Sequence, residues 1–185
     1  MNRVTIAIVL FFGTALYLYW QVQVKQSQKQ INVSTIEQPD FVATDLRSAE
    51  FNELGLVSSR VTAKHMEHYQ DNNVTLFTQP VYIVYGTDGT SPWRITADKG
   101  QFLKGIGKVY LQGDVTLQAV DVQEPLQSVH TSALEMDLTT KTMTSEEMVY
   151  IKGNRFNSQG KGMFADKNAQ TIRLNSQVTG TYEAK

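Results

Sequence analysis

A strand–turn–strand pattern recurs along this chain at nearly constant spacing, and this recurrence limits the possible folds more than any other feature. In the clearest copy, residues 95–99 predict a strand, residues 104–107 a turn, and residues 109–117 a second strand that is kinked at Gly113. The weaker copies contain Val61-Thr62-Ala63-Lys64, Thr131-Ser132-Ala133-Leu134 and Phe164-Ala165-Asp166-Lys167. Counted between the aligned alanines Ala63, Ala97, Ala133 and Ala165, the spacings are 34, 36 and 32 residues. A regular period of this kind predicts similar units added along an axis.

The body of the chain predicts strands almost throughout. Turn signals such as Asp71-Asn72-Asn73, Thr87-Asp88-Gly89 and Thr139-Thr140-Lys141 separate short apolar runs, and helical periodicity is nearly absent. A weak first strand is expected from two apolar pieces, Phe41-Val42 and Leu46 to Phe51, and it ends at Gly55. Short strands at even spacing are typical of a sandwich, a jelly roll or a solenoid. We favour an open, repeat-like form with unpaired edge strands at both ends, because stacked units do not require closure.

The two ends of such a stack are candidate pairing edges. The C-terminal segment, residues 172–185, contains neither a proline nor a run of charge, which are the usual protections of an exposed edge. Ile172 and Leu174 are therefore predicted to lie in a strand that is available to a partner.

The N-terminal segment predicts a membrane anchor. Residues 4–20 carry no charge, and as a helix they would extend about 25 Å. A cleaved signal peptide is the alternative, since Gly13-Thr14-Ala15 resembles a cleavage site, but cutting there would leave residues 16–20 as a bare apolar terminus. The predicted organisation is a cytoplasmic head at 1–3, a transmembrane helix at 4–20, a polar linker at 21–38 and a β domain at 39–185 on the far side.

The sequence offers no catalytic, metal or nucleotide site. It has no cysteine, and a formal net charge of −1 gives no support for nucleic-acid binding. His65 and His68 lie in a predicted strand, which would direct them to opposite faces and prevent shared metal binding. Gly105 and Gly107 lead into a strand, whereas a phosphate-binding loop leads into a helix. We therefore predict a protein that is not an enzyme and has no metal or cofactor.

Asp98-Lys99 is paralleled by Asp166-Lys167 at the equivalent place of another repeat copy. Charged pairs that recur with a structural repeat are expected to flank turns or to pair across strands. We therefore assign them no role in acid–base chemistry.

The apolar inner face of the strands is the remaining candidate site. Such a face can hold an apolar ligand, because burial of each methylene contributes roughly 0.8 kcal/mol. Ordinary core packing is the alternative for every one of its residues. The residues assigned to this face are Val61, Ala63, Phe77, Val81, Ile83, Trp93, Ile95, Val109, Leu111, Val115, Leu117, Leu134, Met136 and Ile151.

Ordered short motifs along the whole chain resemble the LptC family. LptC is the single-pass inner-membrane component of the lipopolysaccharide export machinery of Gram-negative bacteria. The motifs are His68-Tyr69-Gln70-Asp71, Leu76-Phe77-Thr78-Gln79-Pro80-Val81, Pro92-Trp93, Ala97-Asp98-Lys99, Tyr110-Leu111-Gln112-Gly113, Thr144-Ser145-Glu146, and Gly153 with Phe156-Asn157-Ser158.

The resemblance implies a fold and a set of partners. The expected fold is all-β: a twisted open β-jellyroll of two antiparallel sheets and about fifteen strands in the periplasm, preceded by one transmembrane helix. Lipopolysaccharide would arrive from an inner-membrane ABC transporter of the LptF/LptG/LptB type, which meets the N-terminal edge. It would leave to a periplasmic bridge protein of the LptA type at the C-terminal edge. Leu46, Phe77 and Ala169 fall at positions expected to face lipid, and Gly55 and Gly153 match glycines of the family.

Two hypotheses about function follow. In the first, the protein is a relay that carries lipopolysaccharide for outer-membrane biogenesis. In the second, it is a membrane-anchored scaffold that joins transporter and bridge by edge-strand pairing and carries no lipid. The sequence leaves open whether the N-terminal helix is only a tether or also regulates the transporter.

Overall fold

The computed structural model describes residues 38–85, 92–166, 169 and 171–183, and every helix or strand assigned within this part is a β-strand. The prediction of an all-β domain is therefore confirmed for these residues. Pro39–Lys185 form one compact unit. The strands are β1 Phe41–Phe51, β2 Val57–Tyr69, β3 Val74–Thr78, β4 Val81–Val84, β5 Trp93–Thr96, β6 Lys99–Leu103, β7 Lys108–Ala119, β8 Leu126–Asp137, β9 Thr142–Gly153, β10 Phe156–Asp166 and β11 Thr171–Tyr182.

The eleven strands form one continuous antiparallel sheet. β2 pairs with β4 along its first half and with β3 along its second half, and β7 is shared in the same way by β5 and β6. Within the described residues there are eleven strands in one sheet, where two antiparallel sheets and about fifteen strands were expected, because long strands run unbroken from one half of the sheet to the other. β1 pairs only with β2, and β11 only with β10. The described part of the chain thus has a free strand at each end of the sheet, as predicted.

A line of backbone irregularities crosses the sheet, and we call it the crease. Its members with positive φ are Asp45, Gln79, Gly113, Asp114, Gly162 and Gln177. Pairing is interrupted at the crease between Gln112 and Val115 on β7 and between Thr131 and Glu135 on β8. At Gly113, φ is 75° and a side chain would collide with Asp98, whose N–H donates a 2.8 Å hydrogen bond to the Gly113 carbonyl. Glycine fits this bulge because it has no Cβ.

The sequence repeat coincides with the crease in three of its four copies. Ala63 lies where β2 changes partner, Ala97 lies between β5 and β6, and Ala133 lies in the interrupted pairing of β8 with β9. Ala165 instead lies in regular pairing near the end of β10, opposite Met143 and Ile172. The sequence repeat therefore marks the positions at which successive strand pairs bend.

Bending at the crease brings two parts of the same sheet face together. Ile95, Leu117 and Val129 lie on one side of the crease, and Leu111, Leu134 and Met163 lie on the other. All six belong to one buried cluster. Val115 and Val149 next to the crease are completely buried, with 0% exposure. The domain is therefore a single sheet folded into two layers around an apolar interior.

Candidate functional site

The inner face of the folded sheet is an apolar surface aligned by strand register. On one side of the crease, Val61, Tyr82, Ile95, Leu117, Val129 and Ile151 are successive cross-strand partners. On the other side, Met66, Phe77, Gly100, Leu111 and Leu134 form a second such row. Directly paired residues share a face, so each row forms a continuous apolar band across several strands.

Exposure along this face changes from the centre of the sheet to its edges. Central residues such as Ile95, Leu117 and Leu134 are buried, whereas Leu46, Val61 and Phe77 near β1 are only half-buried. At the other end, Leu174 is half-buried, and Ile172 and Val178 are exposed. The apolar face is thus closed in the middle and accessible at both free strands.

Most of the predicted inner-face residues occupy inward positions. Five of them are only partly buried, and two of these five, Trp93 and Val109, pack against the buried cluster. The inward members of the predicted set are Leu46, Val61, Ala63, Phe77, Trp93, Ile95, Val109, Leu111, Val115, Leu117, Leu134, Met136 and Ile151.

The predictions for Val81 and Ile83 are corrected by the register. Ile83 pairs with exposed Arg60 and Arg94, whereas Tyr82 pairs with inward Val61 and Ile95. Simple alternation from Phe77 would keep Val81 and Ile83 on the inner face. The positive φ at Gln79, followed by Pro80, shifts the alternation by one residue.

The prediction for Ala169 is also corrected. Ala169 lies in the exposed turn between β10 and β11, where its N–H donates a 3.0 Å hydrogen bond to Asp166 Oδ1. This position belongs to neither strand and does not contribute to the inner face. Ala165, four residues earlier, packs against the buried cluster instead.

The two predicted glycines have different structural roles. Gly55 is at φ 75° in the β1–β2 turn, where its N–H donates to the Asn52 carbonyl at 2.9 Å. Gly153 is buried at the end of β9, and a Cβ there would lie 2.5 Å from Cδ1 of Phe156. The first glycine satisfies a backbone conformation, and the second makes room for an aromatic ring.

Sequence reasoning missed inward residues on β4, β9 and β10. Tyr82, Met143, Phe156 and Ala165 all pack against the buried cluster, and Met163 belongs to it. The Gln79-Pro80 pair was the available signal for Tyr82, because a proline between two apolar runs predicts a break in alternation. The signal for Met163 was the nearby pair Gly160 and Gly162, because glycines within a strand indicate a bulge that breaks the alternation of faces.

Polar groups within the folded sheet are few and satisfied. Buried Thr131 and Ser145 hydrogen-bond to each other through their hydroxyls at 3.0 Å. His68 Nδ1 and Thr75 Oγ1 are 2.9 Å apart, whereas His65 lies on the opposite face, 3.1 Å from Glu67. The two histidines therefore diverge as predicted, and no group of metal-ligating side chains occurs among the described residues.

Ionisable groups with shifted pKa values lie on the outer surface, away from the inner face. A hydrogen bond from the Tyr69 hydroxyl, together with His65, lowers the pKa of Glu67. The hydrogen bond to Glu135 raises the pKa of Lys108. Backbone N–H groups of Thr140 and Thr139 lower the pKa of Asp137. Each shift is explained by a neighbour in a strand or turn, which is a structural role.

No helix able to span a membrane occurs within the ranges that the structure describes. The predicted cytoplasmic head, transmembrane helix and linker, at residues 1–38, lie outside these ranges except for Gln38.

Known proteins resemble this chain in sequence and in fold. The lipopolysaccharide export system protein LptC of Escherichia coli K12 is 29% identical over 178 residues, covering 96% of this chain and 92% of the relative. The protein of the same name from Haemophilus influenzae is 27% identical, covering 90% and 88%. The crystal structure of LptH from Pseudomonas aeruginosa, described as the LptA-homologous periplasmic component of a lipopolysaccharide transport device, shares the fold with a TM-score of 0.55. Its identity is 10%, and the match covers 68% of this chain and 95% of that chain.

The family model described as "Lipopolysaccharide-assembly, LptC-related" matches residues 6–183. The match extends over nearly the whole sequence, including the strands that form the inner face. The chain therefore belongs to the LptC-related family of lipopolysaccharide-assembly proteins.

Proposed function

We propose that this protein is a non-enzymatic relay that carries lipopolysaccharide along the inner face of its folded sheet. Membership of the LptC-related family supports a role in lipopolysaccharide transport. The observation that carries the relay itself is the exposure of the inner face. Its apolar residues remain accessible beside both free strands, at Leu46 and Phe77 near β1 and at Ile172 and Leu174 on β11.

The centre of the inner face is tightly packed, so acyl chains must enter by displacing side chains. Partly buried Met143 packs beside the fully buried cluster, and its unbranched side chain can change rotamer. Each methylene transferred from water contributes roughly 0.8 kcal/mol. An acyl chain of about ten carbons thus gains enough free energy to offset a modest widening between the two layers.

The free strands are the proposed docking edges. β1 offers eleven residues and β11 twelve, each with one side unpaired in the described domain. A strand from a neighbouring jellyroll could extend the sheet at either edge and continue the inner face into the next protein. We place an inner-membrane ABC transporter of the LptF/LptG/LptB type at β1 and a periplasmic bridge protein of the LptA type at β11. The anchor at residues 4–20 would hold the protein in the inner membrane, with the β domain in the periplasm.

Photo-crosslinking tests the relay. A crosslinker replacing Phe77, on the inner face, is expected to label lipopolysaccharide when the full chain is reconstituted with the transporter and ATP. A crosslinker at Gln118, exposed on the outer face, is the matched control. Equal labelling at both positions would overturn the proposal.

The scaffold remains the second candidate, and the packed centre of the sheet favours it. Val115 and Val149 have no exposed surface, which is the condition expected of a permanently dry interior. Under this alternative, Ala97→Trp would unfold the domain. If the protein is a relay whose two layers can move apart, Ala97→Trp would leave the domain folded and would block lipid transport.

A further inference from the structure

The outer surface beside β1 contains an open depression of about 820 Å³ with an excess of positive charge. Its charged lining groups are Arg47, Arg60, Lys64 and Asp45. We call this the basic depression. Three cations against one carboxylate make it positive, although the formal net charge of the whole chain is −1.

Strand register explains how the cations converge. Arg47 on β1 is the direct cross-strand partner of Thr62 on β2. Arg60 and Lys64 lie two residues to either side of Thr62, so each is about 7 Å from it along the strand. The three cationic side chains therefore surround one point on the outer surface of β1 and β2.

These cations are not used by ion pairs elsewhere in the described domain. Two ion pairs of the described residues, His65–Glu67 and Lys108–Glu135, use other groups. Arg47, Arg60 and Lys64 are exposed. Bringing three positive charges together with Asp45 as the one carboxylate of the depression is unfavourable for the isolated domain, and an anionic ligand would relieve this repulsion.

The basic depression is adjacent to the accessible end of the inner face. Leu46 and Ala63, which occupy inward positions, also line the depression. Leu46 and Arg47 are consecutive residues of a strand with a free edge, so they present apolar and cationic groups within one residue of each other. This arrangement matches an amphiphile whose acyl chains enter the fold while its acidic head stays outside.

We propose that the basic depression binds the phosphorylated sugar headgroup of the lipid while the acyl chains occupy the inner face at Leu46. This inference rests on the proposed relay function. Arg47 and Arg60 can donate paired N–H groups to phosphate oxygens, and Lys64 adds a third positive charge. The Thr62 hydroxyl and the Gln79 amide line the same depression and can donate to sugar or phosphate oxygens.

The test compares lipid A that carries two phosphates with an analogue of the same acyl chains from which the phosphates are removed. Binding of each lipid to the full chain in detergent is measured at low and high salt. The variant R47Q/R60Q/K64Q removes the three cations, and K104Q/K141Q/K152Q removes three exposed lysines outside the depression as a matched control. The variant R47K/R60K keeps both positive charges, so its binding shows whether lost charge or disturbed folding explains a loss of affinity in the triple variant.

We expect R47Q/R60Q/K64Q to bind phosphorylated lipid A about tenfold or more weakly than the parent protein does. The affinity of the parent protein for this lipid should fall as the salt concentration rises. The control variant and the dephosphorylated lipid should show no such loss, and R47K/R60K should retain most of the binding. An equal loss for both lipids, or no loss for either, would overturn the headgroup site while leaving the relay intact. Binding of neither lipid by the parent protein would instead overturn the relay.

Two further measurements distinguish other sources of anionic charge. Pyrophosphate alone should bind far more weakly than phosphorylated lipid A, and equal affinity would indicate a free-phosphate site. Association of the protein with vesicles that contain phosphatidylglycerol measures its contact with a membrane surface. If the triple variant lost vesicle association but kept lipid A binding, the proposal would be contradicted.

Discussion

Gly153 provides a quantitative test of packing at the end of the inner face. It is buried, and a Cβ at this position would lie 2.5 Å from Cδ1 and 2.6 Å from Cζ of Phe156. The Phe156 ring packs against the buried cluster and cannot move away freely. Gly153→Ala should therefore destabilise the domain by about 1–3 kcal/mol, the usual cost of overpacking a well-filled interior.

A double-mutant cycle with Phe156→Ala separates this collision from other effects. The φ of Gly153 is not in the left-handed region, so alanine is compatible with the backbone itself. Once the ring is removed, Gly153→Ala should be neutral or stabilising by up to about 1 kcal/mol, since alanine restricts the unfolded chain more than glycine does. The effect of one substitution is thus expected to change from clearly unfavourable to neutral or favourable.

Urea unfolding of residues 39–185 provides the assay. Trp93 is the only tryptophan in this segment, and it packs against the buried cluster, so its fluorescence reports loss of the core. The same cost of Gly153→Ala in both backgrounds would show that the ring is not responsible, and the packing account of Gly153 would then be refuted.

Three further predictions concern the core, a buried hydrogen bond and a turn. Leu134→Ala should cost about 2–5 kcal/mol because Leu134 is 2% exposed, whereas exposed Leu138→Ala should cost much less; urea unfolding compares them. Thr131→Val should cost about 1–3 kcal/mol because Ser145 Oγ loses its Thr131 partner and keeps only the bond that it accepts from the Glu147 N–H; adding Ser145→Ala should recover part of that loss, and full additivity would argue against the Thr131–Ser145 bond. Thr140 and Thr139 lower the pKa of Asp137. The ionised Asp137 carboxylate therefore stabilises the fold above the unfolded pKa of 3.8, and this stabilisation is lost as the pH falls through the lower folded pKa. The stability difference between parent and Asp137→Asn should therefore shrink as the pH falls below 3.8 and through the lower folded pKa, and a pH-independent difference would contradict this assignment.

The sequence predicted the strands better than it predicted their alternation. Apolar periodicity and turn residues identified the all-β body, the kink at Gly113 and the free edge strand β11. These features depend on local interactions, which leave a direct pattern in the residues. The single sheet was not foreseen, because pairing of both β3 and β4 with β2 depends on contacts between distant parts of the chain.

The errors in the predicted site arise at backbone irregularities. A strand's side chains alternate only while its backbone is regular, and one residue at positive φ exchanges the two faces. This exchange at Gln79 moved Val81 and Ile83 outward and brought Tyr82 inward. Ala169 was placed by resemblance, and the turn that contains it interrupts the match between sequence position and strand face. The basic depression was missed because Arg47 and Arg60 converge only through the pairing of β1 with β2.

The order in which lipid reaches the two ends of the inner face tests the relay most directly. Photo-crosslinkers placed separately at Phe77, beside the β1 end, and at Leu174 on β11 would be flashed at successive times after ATP is added to the full chain with its transporter. The relay predicts that lipopolysaccharide labels Phe77 first and Leu174 later, with Gln118 on the outer face unlabelled throughout. Labelling of Leu174 before Phe77, or of neither while lipid still reaches the bridge protein, would contradict transport along this face.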